Sequence, residues 1–427
     1  MAPRVLLVKP PEASRFNFGT FSLAVLAAAV RDIAEVEILD ATRLGLAEAA
    51  QRIAERTPRW VGITTMALSS LPPAAELVRR LRGAVPDAHL VVGGHGATML
   101  PRIPLEAGAH TVVLGEGEIT FRRLLQDERS TDLAGLARLS GGELLQGPAG
   151  PQVAPLDALN TPAHDLVPEP EDGVHLLETS RGCPHDCSFC ETTRFHGRRW
   201  RYHTPARVAA EVRHLVRDLG AWIIEITDDN FAASRRRVLE ITRLLRREDL
   251  PVFFMLSARA DDLLAHPGLL PAMAGARMLR ISVGVESLDP GLAVRAGKSL
   301  SVGDYARLFG RMRELGMFSV ASYIVGLPGE TARARRKAVE LAVAAGSDAA
   351  QFLPLYPFPG LPLPAGNDSY DPDPAAAADA ERFTREFYAH PAVIARLTRA
   401  ASGGGVRALL AGGTLAKHPP PTACSAK

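Results

Sequence analysis

Short apolar runs alternate with amphipathic stretches along the first 130 residues. The runs Arg4–Val8, Val36–Leu39, Trp60–Thr64, His89–Val92 and Thr111–Leu114 predict strands. The stretches Phe21–Arg31, Leu46–Arg56, Pro73–Arg82, Pro101–Ala107 and Glu118–Leu125 space their apolar residues as helices do. Strands alternating with helices imply βαβ units and a parallel sheet covered on both faces. Runs such as VLLV and LVVGG, which lack polar alternation, fit strands buried on both sides.

Residues 131–172 change character. GGELLQGPAGP reads as a turn-rich hairpin, and the proline-rich stretch after it reads as a connector that packs along its neighbours. From Val174 the alternation resumes with a longer period. Strands are predicted at Val174–Thr179, Trp222–Thr227, Val252–Ser257, Met278–Val283, Phe318–Val325 and Gln351–Tyr356. Helices are predicted between them at Pro205–Leu219, Arg236–Arg246, Val302–Leu315 and Thr331–Ala345. Six such units over 173–360 predict a partial barrel of the TIM type. Residues 361–427 predict a short helical segment and a disordered tail.

Folds of this kind place ligands at the carboxyl ends of their strands. In the first domain those ends hold Pro10, Thr64, Thr65, Met66, Gly93, Gly94, His95, Gly115, Glu116 and Gly117. The glycines either let the backbone approach something large or are ordinary βα turns. No P-loop or GxGxxG follows the first strand, so the common nucleotide fingerprints are missing. In the second domain the ends hold Cys183, Cys187, Cys190, Asp228, Asp229, Arg259, Glu286 and Gly326. That concentration of chemistry on one rim points to an active site.

Composition narrows the choice. Of 427 residues, 47% are hydrophobic and 22% charged, which excludes a disordered chain. A formal net charge of +2 gives no reason to expect a nucleic acid or acidic membrane partner. The apolar run Leu23–Val30 falls far short of the roughly 20 residues a membrane span needs, and no secretory signal is read at the amino terminus. Four cysteines are too few and too clustered for a disulfide framework. Thiolates held for a metal need a reducing compartment, so a cytoplasmic protein is expected. Cys424 reads as an exposed thiol without function.

Three thiolates in CPHDCSFC suit three corners of a cluster. A Cys₃His zinc site, with His185, His196 or His203 as the fourth ligand, is the structural alternative. A 4Fe–4S cluster usually takes four cysteines. With three, one iron stays open to a small molecule, which suggests catalysis rather than plain electron transfer.

The CxxxCxxC of Cys183, Cys187 and Cys190, with Phe189 before the last cysteine, resembles the radical S-adenosylmethionine (SAM) superfamily. ETSRGCPHDCSFC, ITDDNF, SARAD, VGVES, YIVGLPGE and LYPFPG follow that family's barrel in order and spacing. The resemblance implies a 4Fe–4S cluster whose open iron chelates the methionine moiety of SAM. One electron then cleaves the sulfonium, and a 5′-deoxyadenosyl radical abstracts hydrogen from substrate. It also implies SAM contacts from Phe189, Asp228, Asp229, Arg259, Glu286, Ile324 and Gly326. Asp228 also admits a helix-capping role, Glu286 a pair with Arg280, and GLPG a plain turn.

LLVKPP, VEILDA, VGITTM, VVGGHGATMLP and VVLGEGE resemble the cobalamin-binding domain fused ahead of the barrel in one radical SAM class. The ten strand-end residues of the first domain are then the expected cobalamin contacts. Met66 or Leu68 is expected either to face cobalt or simply to pack in the core. RFHGRRWRYHTP, though basic and aromatic, resembles the segment that leads into the family's next helix.

The expected protein is a Rossmann-like cobalamin domain at 1–130 followed by a partial (β/α)6 radical SAM barrel. The expected reaction is methylation of an unactivated carbon of a small molecule, with methylcobalamin as donor and a flavodoxin or ferredoxin system as reductant. Two alternatives remain: non-methylating radical chemistry (cyclisation, rearrangement or oxidation), and a metal-binding electron-transfer or regulatory module.

Overall fold

The computed structural model describes residues 2–12, 19–128, 132–168, 170, 173–357 and 371–402. The described chain forms two compact units. The first takes in residues up to 168 together with 194–197, and the second takes in the rest.

The first unit is built on β1 (Arg4–Lys9), β2 (Glu35–Asp40), β3 (Trp60–Thr64), β4 (His89–Gly93), β5 (Thr111–Val113), β6 (Leu136–Ser140) and β7 (Glu143–Gln146). The sheet order is β2-β1-β3-β4-β5-β6-β7. The first five strands are parallel. Order 2-1-3-4-5 is the flavodoxin-like arrangement, whose ligand crevice lies at the carboxyl end between β1 and β3. The hairpin of the connector, β6 and β7, extends this sheet antiparallel.

Two-residue periodicity deals the apolar runs to two cores. Leu6, Val8, Val61, Ile63, Leu90 and Val92 pack on one face with Ala50, Ile53, Leu77 and Leu81. Val5, Leu7, Trp60 and Val91 pack on the other with Leu23, Ala27, Phe121 and Leu124. Each large side chain so buried contributes about 1.5–3 kcal/mol. Packing is tight at Gly62, where a Cβ would come within 2.8 Å of Leu7 Cδ2 and the leucine would have to shift.

The second unit contains β8 (Val174–Leu177), β9 (Ser180–Arg181), β10 (Arg201–Tyr202), β11 (Ile223–Ile226), β12 (Phe253–Ala258), β13 (Met278–Glu286), β14 (Phe318–Val325) and β15 (Ala349–Pro354). Six of these form one parallel sheet in the order β15-β14-β13-β12-β11-β8. Sequential order in a parallel sheet is that of a barrel cut open. β9 and β10 pair antiparallel as a separate ribbon.

The alternation is one-sided in this sheet. Phe254, Leu256, Ile281, Val283, Ala321 and Tyr323 are buried in the core with the helices. Their neighbours Met255, Ser257, Arg280, Ser282, Ser322 and Gln351 are only half-buried. The inner surface of the half barrel is therefore less buried and mixes polar with apolar side chains: Phe318, Val320 and Ala349 at the strand starts pack with Leu397 of helix Pro391–Ser402, and Glu225 and Arg280 form an ion pair at 3.7 Å. Along the edge strand β15, the Tyr388 hydroxyl donates to Ala350 O at 2.9 Å and accepts from Ala350 N at 3.2 Å. Tyr388 stands on the helix Pro374–Ala389, which packs against that strand. Helix Pro391–Ser402 follows, and the expected tail with Cys424 lies outside the described residues. Among the described residues, no helix is long and apolar enough to cross a membrane.

Among the α-helices of the first unit, one departs from the expected pattern. A helix was expected only at 101–107, yet His95–Met99 is helical too, followed by Arg102–Glu106. Gly94, at φ 94, makes the abrupt turn from β4 that allows it. A Cβ there would sit 2.4 Å from Thr65 O.

Candidate active site

The cysteines lie on a long loop between β9 and β10. The pairs Arg181–Arg201 and Ser180–Tyr202 close its base. All three thiols are free and half-buried. Cys187 and Cys190 share a turn through the bond from Cys190 N to Cys187 O, 3.1 Å. Burial pushes the Cys183 thiol up to about 11, while the His185 backbone N–H pulls it back. Burial likewise raises Cys190, opposed by N–H groups of Thr193 and Thr192 and by the Thr193 hydroxyl. Such thiols stay protonated near neutrality unless a metal replaces the proton.

Cys187 is different. Arg259 Nη1 donates to its Sγ at 2.9 Å. Arg259 is itself held by Asp261 at 2.7 Å and by Gly297 O. Gly297, at φ 74, brings its backbone so close that a Cβ would lie 3.6 Å from Cys187 Cα.

This donor set fits an iron–sulfur cluster: free thiols on one loop, backbone N–H groups aimed at sulfur, and a glycine admitting close approach. Among the described residues, no three Cys, His, Asp or Glu side chains gather closely enough to hold a single metal ion, the three cysteines included. The histidines that would complete a zinc site are engaged elsewhere. His185 Nε2 is 3.0 Å from Asp262, His196 Nδ1 is 3.1 Å from Glu116, and His203 is buried beside β10.

The other expected SAM residues take separate positions on the rim. Phe189 is half-buried on the cysteine loop. Asp229 is exposed, and its Oδ1 accepts the Thr192 hydroxyl at 3.0 Å. Asp228 instead faces inward, 2% exposed, with both oxygens engaged by Thr179 and Ser180. It does not cap the next helix, because Ser234 does.

Glu286 ends β13 at φ 65 and is buried. Its partner is Lys298 at 3.5 Å, not Arg280. Burial pushes the Glu286 carboxyl up, while Lys298 and then Arg259 oppose this. Lys298 Nζ also donates to Gly284 O at 2.8 Å. Ile324 is half-buried near the end of β14. Gly326 N donates to Glu330 Oε2 at 2.9 Å, and Arg335 grips that carboxylate. Lys298 and Arg335 are marked by no local motif, and Glu330, though it closes YIVGLPGE, is given no role by the sequence.

In the first unit the expected cobalamin residues converge. Thr65 N and Oγ1 both donate to Gly93 O at 2.8 Å. Thr65 Oγ1 accepts from Ala97 N at 2.9 Å, and Gly115 N donates to Thr98 Oγ1 at 3.0 Å. Pro10, Thr64, Gly94 and Gly117 complete the rim at the same strand ends. The side chains there are small and mostly neutral, so a broad flat ligand can lie close to the backbone, as a corrin requires. Met66 is half-buried, and its sulfur accepts from the Ser22 hydroxyl at 3.7 Å. Leu68 is 5% exposed and belongs to the core. Within this unit, Phe195 lies against His95 with ring centroids 3.7 Å apart and ring planes tilted by 38°.

Residues 177–342 match the model of the radical SAM superfamily, and the chain belongs to that superfamily. Residues 13–125 match the B12 binding domain, which places the chain in the class that carries this domain ahead of the barrel. It is a radical SAM enzyme, and the cofactors that follow from its two domains are a 4Fe–4S cluster, SAM and cobalamin.

A protein of Pyrococcus horikoshii named uncharacterized methyltransferase PH0819 is 29% identical over 84% of this chain and 82% of its own length. Anaerobic magnesium-protoporphyrin IX monomethyl ester cyclase of Cereibacter sphaeroides is 27% identical over 74% of this chain, which spans only 54% of that enzyme. The same fold is seen in the radical SAM methyltransferase TsrM of Kitasatospora setae, solved with cobalamin and a [4Fe–4S] cluster. Its TM-score is 0.71 at 22% identity, covering 91% of this chain and 82% of that one.

Proposed function

We propose that this protein is a cobalamin-dependent radical SAM methyltransferase acting on an unactivated carbon of a small molecule. The observation that carries the reading is the loop of three free thiols at the rim of an open half barrel, in a chain that also has a B12 binding domain. Its likeness to a protein named as a methyltransferase, over most of both chains, supports methyl transfer. When bound, the cofactors supply a carbon-centred radical and a transferable methyl group.

The protein's own residues bind and orient. Cys183, Cys187 and Cys190 hold the cluster. Arg259, Glu286 and Asp229 are the polar groups available to the methionine and ribose ends of SAM. Ile324 and Gly326 lie where adenine would pack, and Phe189 flanks the cluster. Pro10, Thr64, Thr65, Met66, Gly93, Gly94, His95, Gly115, Glu116 and Gly117 form the cobalamin rim. A flavodoxin or ferredoxin system supplies the electron, in a reducing cytoplasmic setting.

Anaerobic reconstitution tests this reading. Iron and cobalamin are counted, then deoxyadenosine and methylated product are scored together. Deoxyadenosine with no methyl transfer to any accepted substrate overturns methylation. That result would favour a radical cyclisation or oxidation, for which the likeness to the cyclase is the supporting observation.

A further inference from the structure

Both feet of the cysteine loop are tied by one buried network. Asp228 Oδ1 accepts the backbone N–H groups of Thr179 at 2.7 Å and Ser180 at 2.8 Å. Its Oδ2 accepts the hydroxyls of Thr179 and Ser180, each at 2.6 Å. Four donors fill the lone-pair sites of a carboxylate, leaving none for a ligand.

Arg237 reaches the same turn. Its Nη2 donates to Thr179 O at 2.6 Å and its Nε to His203 O at 3.1 Å. His203 N also donates to Thr179 O at 2.9 Å. Thr179 stands just before β9 and His203 just after β10, so the network clamps the two strands that close the loop. Asp228 is 2% exposed and Arg237 5%. Burial pushes the Asp228 carboxyl up, and Arg237, then the Ser180 and Thr179 donors, pull it back. Two charges are thus held out of water beside the loop, a costly arrangement unless the geometry is well satisfied.

We propose that Asp228 is a positioning residue. Through its four bonds to Thr179 and Ser180 it fixes one foot of the loop, which Arg237 ties to the other, so that three cysteines meet one cluster, and it does not touch SAM. This rests on reading that loop as the seat of the cluster. Slack at the feet spreads to every residue between them, and a cube accepts its cysteines only at set positions. Partners that orient metal ligands typically contribute about 10–100-fold to metal affinity.

The test compares the anaerobically reconstituted full chain with Asp228→Asn and Asp228→Ala. The measurements are iron per chain, iron loss to a chelator, the electron paramagnetic resonance of the reduced cluster with and without SAM, cobalamin binding and melting temperature. Asn keeps an acceptor for both backbone N–H groups, and the hydroxyls can turn to meet its amide. Asp228→Asn is expected to load iron and to respond to SAM as the wild type does. Asp228→Ala is expected to lose iron about 10-fold more readily, with a three-iron signal, while cobalamin binding is unchanged.

Full iron with a normal SAM response in Asp228→Ala overturns the proposal. So does an Asp228→Asn chain that keeps its iron but no longer responds to SAM, the pattern of a direct SAM contact. Should Asp228→Ala not fold, the pair Thr179→Val with Ser180→Ala removes only the two hydroxyl donors. It is expected to hold iron less well than wild type, and wild-type retention overturns the proposal. A wild-type chain that takes up no iron breaks the functional reading itself, a result distinct from all of these.

Discussion

The two units solve the same architectural problem with opposite chemistry at their strand ends. Both are built on parallel strands with helices between them, and both gather their candidate ligand residues at the carboxyl edge. In the first unit that edge is mostly glycine and threonine, bonded mainly through backbone groups, with the pairs Lys9–Glu12 and Glu116–His196 beside them. In the second it is a series of charged groups, each engaged: Asp228 by Thr179 and Ser180, Arg259 with Asp261, Glu286 with Lys298, Glu330 with Arg335. A flat, mostly neutral ligand is best met by bare backbone. A cluster bound by thiolates and a sulfonium ligand call for fixed charges, each of which must be paired when buried.

The contrast can be broken most severely at the cluster. Cys187→Ala is expected to abolish the bound cluster and deoxyadenosine formation while leaving cobalamin binding intact. Iron analysis and a cobalamin titration on the same sample check this, and joint loss of both would mean the units are not chemically separable. Lys298→Met comes next, because it strands the Glu286 carboxyl without its cation. Breaking a buried pair costs about 3–5 kcal/mol, so melting should fall sharply, and Glu286→Gln added to it should recover much of the loss.

In the first unit the sensitive element is backbone. Gly94→Ala puts a Cβ against Thr65 O at a positive φ. The expected cost is about 3 kcal/mol, together with weakened cobalamin binding. Normal binding would show that this turn relaxes freely.

The smallest effect concerns pH. His89 lies on the Trp60 and His110 rings, with centroids 4.4 and 4.8 Å away. Burial, then His110, pushes it down from 6.5 to about 4. The unfolded chain therefore takes up a proton that the folded one refuses. The resulting stability is complete above pH 6.5 and is lost as pH falls towards 4. Melting curves between pH 7.5 and 4.5, windows chosen around those two values, should show a shallower decline in His89→Gln than in wild type.

Most strands and the cysteine motif were legible because each is a local pattern. An apolar run or a three-cysteine spacing states its meaning within ten residues or so. The partners were not legible. Asp228 meets Thr179 across 49 positions, and nothing near either residue announces the other. The acid's place at a strand end therefore predicts a SAM contact, while its side chain turns to the loop. Lys298 was missed for the same reason: it follows a turn, in RAGKS, where a lysine is ordinary. The helix His95–Met99 escaped because its start depends on the left-handed turn at Gly94 rather than on periodicity.

The hydroxyl of Tyr388 on β15 has a consequence for solubility. An open barrel ends in a strand whose free N–H and C=O groups can recruit a strand from another molecule. A chain awaiting iron and cobalamin is exposed to that risk for as long as loading takes. By bonding both groups of Ala350, Tyr388 denies an incoming strand one pairing position near the start of β15, and the helix that carries it packs against that strand. This edge of the half barrel is thereby a poorer template for aggregation.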